Sequence, residues 1–331
     1  MIERSRSDRT IGVLLLTFGS PAMLDDVPAY MAHVRGGKEA PADLVAEFRR
    51  RYEVVGGSPL IAITEQQADA LAAELLRRYP TGPRFRVGIG MRHSPPSIED
   101  AMGELAAAGV SEIAAVIMSP QYSPYIMGGY HRAVEAGTAA AAAAGHVVTA
   151  KVAGAWNLNP HFLDALAERL RQALAALPPE VRDTTPVLLT CHSLPKRVME
   201  REPGYLVQID QTVAAIVERV GLAADRWQFA YQSAGHTPEE WLTPDMKDLL
   251  PGLRARGHRH VVMAPVQFLA DHLEILYDID VAAREDAERQ GISLHRIESL
   301  NLSPLFIAAL ADVVEETSPS LVELAIDQAE R

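Results

Sequence analysis

The run HVVMAPVQF (260–268) passes without interruption into LADHLEILYDID (269–280), and this junction decides the fold. The first part is apolar almost throughout, without polar alternation, which is the pattern of a parallel strand buried on both faces. The second carries Asp271, Glu274 and Asp278 at i, i+3 and i+7, positions that share one face of an α-helix. A buried strand running straight into a helix is half of a parallel crossover unit, and in open parallel sheets ligands bind beyond the carboxyl ends of the strands.

Seven further runs of the same kind lie on either side of it: IGVLLLTF (11–18), FRVGIGM (85–91), EIAAVIM (112–118), VVTAKVAGA (147–155), PVLLTC (186–191), WQFAYQS (227–233) and SLHRIES (293–299). Stretches of helical period separate them. TEQQADALAAELLRRY (64–79) opens with Thr64 and Gln67 at capping-box spacing, which predicts a helix start at Thr64. PSIEDAMGELAAAG (96–109) ends on a C-capping Gly109, and PHFLDALAERLRQALAAL (160–177) begins with Pro160 in the first turn. Two groups of four strands alternating with helices predict two doubly wound α/β units. The proline-bearing segment 176–186 reads as a long loop or linker, and the alanine tract 139–144 as helical filler.

Composition bounds the function. The 331 residues are 48% apolar and 22% charged, enough for a sizeable core, and the formal net charge is −12. Without a basic cluster, such a surface repels nucleic acid. The single cysteine, Cys191, can form no intramolecular disulfide and cannot hold an iron–sulfur cluster or a four-thiolate zinc site. The apolar run after the charged start is too short to span a bilayer and no small-residue cleavage site follows it, so the expectation is a soluble, cytoplasmic protein. Nothing marks an interface, so a monomer is expected.

Three strand ends carry chemistry. PVLLTCHSLP (186–195) puts His192 just past a strand, where it is either a catalytic imidazole or a histidine tied into the turn. The acids of 271–278 either form a solvated helical face or, crowded by Leu269, Leu273, Ile275, Leu276 and Tyr277, act as base or weak metal ligands. His93 in MRHSPPSIED (91–100) reads first as a structural histidine at a tight Pro-Pro turn. The glycines at 88–90 lack the remainder of a dinucleotide fingerprint, and no phosphate-binding loop or zinc-protease motif is present. Spacing alone leaves the reaction unnamed.

Longer motifs name a family. HSLP (192–195), YQSAGHTPEEWLTPD (231–245) and PVQFLADHLEILYDID (265–280), with LLTFGSP (15–21), RRRYEVVGGSPL (49–60), ITEQQA (63–68) and SPQYSPY (119–125), resemble the ferrochelatases, which insert ferrous iron into a porphyrin. The resemblance runs over about residues 10–315. It implies two similar Rossmann-like domains, each a four-stranded parallel sheet flanked by helices, with the active-site cleft between them. The boundaries expected are 10–156 and 157–316, with tails at 1–9 and 317–331 and a C-terminal helix folded back on the first domain.

The resemblance also implies roles. The family's histidine falls on His192 and its glutamate on Glu274, as proton acceptor, metal ligand and opposing carboxylate. Porphyrin contacts fall on Arg35, Arg51, Tyr52, Ser58 and Tyr130, with arginines gripping carboxylates that a chain of net charge −12 would otherwise repel. An outer metal position or proton path would use Arg51, Asp271 and Asp278, although Ala282 replaces a further acid. The motif forms are most similar to coproporphyrin III enzymes, several of which carry a metal-ligating tyrosine where this chain has Phe18. The implied substrates are a porphyrin and Fe²⁺, without a prosthetic group. PYIMGG (124–129), with Tyr122 and Tyr125, is expected to form an apolar lip for the ring. The alternatives are a protoporphyrin IX enzyme, a cobalt or nickel chelatase, or a tetrapyrrole-binding protein without turnover.

Overall fold

A computed structural model describes residues 9–235 and 239–329. Most of the expected 1–9 tail and His236, Thr237 and Pro238 of the 231–245 motif lie outside the described residues. The first half holds strands β1 (Thr10–Thr17), β2 (Arg84–Met91), β3 (Glu112–Ile117) and β4 (Thr149–Val152). Its helices are α1 (Val27–Val34), α2 (Ala42–Val55), α3 (Leu60–Arg78), α4 (Ile98–Ala107) and α5 (Pro124–Ala143). The second half holds β5 (Val187–His192), β6 (Trp227–Gln232), β7 (His260–Pro265) and β8 (Ser293–Arg296). Around these lie α6 (Pro160–Ala175), α7 (Pro179–Arg182), α8 (Lys196–Arg201), α9 (Pro203–Val220), α10 (Met246–Ala255), α11 (Arg284–Arg289), α12 (Pro304–Thr317) and α13 (Pro319–Ala329). Residues Glu274–Ala283 form a π-helix.

The sheets are entirely parallel, in the orders β2-β1-β3-β4 and β6-β5-β7-β8. Each order reverses direction beside its central strand, so β1 and β3, and β5 and β7, open a crevice at their carboxyl ends. Burial explains the parallel pairing: β1 is buried from Ile11 to Thr17 and β5 from Val187 to Cys191, leaving no wet face for an antiparallel meander. Leu14 and Leu16 pack with α4 and α5, whereas Val13 and Leu15 belong to a core shared with α3, α6 and α12. That shared core joins the two sheets. Polar contacts reinforce it, because Arg78 of α3 reaches Asp312 at 2.8 Å and Glu315 at 3.0 Å on α12, and the carbonyl of Ala308 at 3.0 Å.

Helix ends follow the expected chemistry with one exception. Gly109 closes α4 at φ +84°, and Pro160 opens α6 behind Asn159, whose side chain accepts from the N–H of Phe162. The exception is α3, which begins at Leu60 rather than Thr64. Thr64 and Gln67 are buried inside the helix; the Thr64 hydroxyl donates back to the Leu60 carbonyl, and Gln67 donates to the carbonyl of Asn301. A capping-box spacing can be met by residues facing a neighbouring segment, and here tertiary contact overrides the local signal. The 176–186 connection contains the single turn α7.

Candidate active site between the two sheets

The turn leaving β1 begins the N-terminal wall. Gly19 has φ +93°, and a Cβ there would stand 2.5 Å from Ser94 Oγ, so only glycine lets the chain turn this closely. Ser94 Oγ accepts the N–H of Ser20 in the same turn. Opposite, the carboxyl ends of β5, β6 and β7 deliver His192, Ser233 and Gln267. The two walls enclose a cleft of 760 Å³, large enough for a ligand of macrocycle size.

At its floor His192 donates from Nδ1 to the Ser193 carbonyl, which leaves Nε2 as the free face of the ring. Its backbone N–H donates to Gln267 Oε1 at 3.2 Å. His192 Nε2 stands 3.7 Å from Glu274 Oε2, and His272 Nε2 stands 3.7 Å from the same oxygen. His272 is oriented by a 2.9 Å bond from Nδ1 to the Ala270 carbonyl. The Phe268 ring lies edge-on to both imidazoles.

This grouping sets the charges. Burial opposes ionisation of Glu274, but His192 and His272 outweigh it and lower its pKa to about 2. Burial likewise works against a charge on His272, yet the hydrogen bond and charge of Glu274 raise its pKa above the ordinary value. The result is a carboxylate between two imidazoles, its side chain 41% exposed to the cleft. Among the described residues no group of three or more His, Cys, Asp or Glu side chains is arranged to hold a metal ion, and a neutral imidazole can accept a proton near pH 7.

Glu274, Asp278 and Ala282, four residues apart along the π-helix, all line the cleft. Burial raises the pKa of Asp278, partly offset by the Ser233 hydroxyl, and Arg51 Nη1 lies 3.5 Å from its carboxylate. Asp271 departs from the expectation. It precedes the π-helix and turns away, accepting from Ser299 Oγ at 2.7 Å and Asn301 Nδ2 at 2.9 Å, with Arg296 at 3.4 Å. Of the two acids expected on such a path, Asp278 lines the cleft and Asp271 does not.

Arg51, Tyr52, Ser58 and Tyr130 all line the cleft. Arg51 also bonds Glu47 at 2.9 Å and lies over the Tyr277 ring, and burial pushes the Tyr52 hydroxyl up to about 12. Arg35 is exposed at the end of α1, outside the residues that line the cavity. His93 also lies outside the lining, behind Phe18, which itself faces the cleft. Within the expected lip, Met127 is instead buried in the N-terminal core among the side chains of α4 and β3, because Pro124 and Ser123 start a helix there. His272, Tyr30 and Trp241 also line the cleft, although the residue spacing singled out none of them. The signal for His272 was its place within DHLE, two residues before Glu274. On a regular helix that spacing points side chains apart, but here the chain is not yet helical at His272.

The fold and site define a chelatase-type protein of two Rossmann-like domains. The sirohydrochlorin chelatase of Bacillus subtilis subspecies spizizenii, solved in complex with cobalt, has the same architecture: TM-score 0.51 and 12% identity, covering 94% of this chain and 95% of that one. The ferrochelatase family model matches residues 10–318. A ferrochelatase of Deinococcus radiodurans is 36% identical over 310 residues, covering 93% of this chain and 96% of that one. A coproporphyrin III ferrochelatase of Geobacillus kaustophilus is 37% identical over 308 residues, covering 92% and 95%. The chain belongs to the ferrochelatase family, metal chelatases of haem biosynthesis whose substrates are a porphyrin and a metal ion. Among the described residues, no helix is long and apolar enough to cross a membrane.

Proposed function

We propose that this chain is a lyase that inserts Fe²⁺ into coproporphyrin III, giving iron coproporphyrin. One observation carries the reading: Glu274, held as a carboxylate, stands 3.7 Å from the Nε2 atoms of both His192 and His272 at the base of a cleft of macrocycle size. Metallation needs a base for two pyrrole protons, anionic and imidazole ligands to strip water from Fe²⁺, and binding energy to pucker the ring. His192 Nε2 accepts a pyrrole proton and Glu274 draws the cation in. Few protein ligands suit a metal that must leave, and Asp278, next along the π-helix, draws hydrated cations inward or carries protons out toward solvent.

Arg51, Tyr52, Ser58 and Tyr130 bind the macrocycle and its carboxylates, and Arg35 reaches a carboxylate at the rim. Phe18 has no ligating atom, so the metal receives no phenolate from that position. The chain acts as a cytoplasmic monomer without a resident prosthetic group; its one cysteine, buried Cys191, is too few to hold an iron–sulfur cluster.

An anaerobic assay with Fe²⁺ and either coproporphyrin III or protoporphyrin IX tests the reading through loss of free-porphyrin fluorescence. Faster turnover of coproporphyrin III supports it. Preference for protoporphyrin IX makes haem b the direct product. No turnover of either leaves a tetrapyrrole-binding protein or a chelatase for another metal and ring.

A further inference from the structure

Outside the cleft lining, at the edge of the N-terminal wall, two imidazoles face each other. His33 occupies the last turn of α1 and is exposed; His93 follows β2 in the turn to α4. Their Nδ1 atoms are 3.0 Å apart, with ring centroids at 5.1 Å and planes at 70°. The His93 backbone N–H donates to the Phe18 carbonyl at 3.0 Å, and the His93 ring packs on the Phe18 ring at 4.4 Å. His93 is thereby held in place while His33 remains open to solvent. Among the described residues neither ring has another hydrogen-bond partner.

We propose that His33 and His93 form a two-imidazole site for a borderline divalent cation such as Zn²⁺ or Fe²⁺, separate from the His192–Glu274 centre. Two nitrogens bound to one metal at about 2.0–2.1 Å stand roughly 2.9–3.4 Å apart for the usual octahedral to tetrahedral angles, and the observed separation lies in that span. The carbonyl end of α1 adds a favourable partial charge beside His33. Burial, and then the charge of Arg92 next to it in the chain, oppose a positive charge on His93. Water would complete the shell, so the cation is held weakly and exchanges. His93 packs on Phe18, which lines the cavity, so the ion sits beside a wall of the cleft. The competing account is a plain Nδ1–H···Nδ1 hydrogen bond, which requires no metal.

The test is a Zn²⁺ titration of the full-length, porphyrin-free chain against a chromophoric chelator, so it does not depend on the porphyrin assignment. In a His192→Ala, Glu274→Gln background, which disables the cleft centre, one equivalent should remain. Adding His33→Ala, or separately His93→Ala, should weaken that equivalent at least tenfold. The proposal is overturned if the background protein binds no Zn²⁺, or if its equivalent survives both substitutions unchanged and so resides elsewhere. The pair His260 and His295, 3.0 Å apart on β7 and β8, is one such place. As a check that needs no substitution, Zn²⁺ should shift the ring resonances of both His33 and His93 in the unaltered protein. Unmoved resonances under saturating Zn²⁺ would also overturn it.

Discussion

His192 and Glu274 meet across the cleft floor with Nε2 3.7 Å from Oε2, and the imidazole is oriented by its other nitrogen, which donates to the Ser193 carbonyl. This arrangement does two things at once. The hydrogen bond assigns the proton to Nδ1 and leaves Nε2 to accept another, while the carboxylate stabilises any positive charge that arrives, whether proton or metal. Because the contact points into open space, neither side chain is needed to hold the sheets together.

His192→Ala should therefore reduce porphyrin metallation by roughly 10²–10⁴-fold, the usual contribution of a positioned acid–base group, with little change in thermal stability. Stopped-flow metallation alongside porphyrin titration measures both. Turnover at the original rate would remove His192 from the chemistry.

Glu274→Gln keeps the volume and removes the charge, so the rate should fall by a similar factor. The pH response has a definite sign. With Glu274 at a pKa of about 2, its own ionisation does not shape activity between pH 5 and 8. Glu274 does stabilise the imidazolium of His272 against burial. Removing the anion leaves burial to favour the neutral ring, so the His272 midpoint should move to lower pH in the variant. An NMR titration of the His272 ring would follow this, and an unmoved midpoint would uncouple the two residues.

The two arginines should separate kinetically. Arg35 is exposed and outside the lining, so Arg35→Ala should raise the porphyrin KM more than it lowers kcat. Arg51 touches Glu47 and stands beside Asp278, so Arg51→Ala should alter both constants and push the Asp278 pKa further up. Steady-state kinetics with varied porphyrin distinguishes them. An unchanged KM for Arg35→Ala would exclude Arg35 as a carboxylate clamp.

The junction of the two halves has its own test. Arg78 is largely buried and bonds Glu74, Asp312, Glu315 and the Ala308 carbonyl, joining α3 to α12. Arg78→Ala should cost roughly 2–3 kcal/mol, the scale of lost hydrogen bonds to charged groups. Urea denaturation would show it as a lower midpoint, whereas a midpoint unchanged within error would make this cluster energetically neutral.

Local sequence was enough for the elements. Continuous apolar runs such as Leu14–Leu16 and Val187–Leu189 mark strands buried on both faces wherever they fall, since such a run has no wet side. Pro160 and Gly109 mark helix ends through backbone geometry that belongs to the residue itself. The long motifs singled out His192, the last residue of β5, and Glu274, which opens the π-helix after β7, and the structure places the two 3.7 Å apart.

Side-chain direction was not legible in the same way. Thr64 has the spacing of a cap yet lies inside α3, because Leu60 onward packs against neighbouring elements. Met127 follows a helix start into the core rather than lining a lip. Asp271, Glu274 and Asp278 share a face only where one helix carries all three. The helix begins after Asp271, so Glu274 and Asp278 line the cleft together, while Ser299, Asn301 and Arg296 draw Asp271 away. The sequence by itself determined the alternation of strands and helices and the chemical types at their ends, because burial and backbone preference act over a few residues. The tertiary structure alone decided that His272 joins His192 on one carboxylate oxygen and that His33 meets His93. Those pairings depend on hydrogen-bond register and on segments far apart in the chain, which no local period encodes.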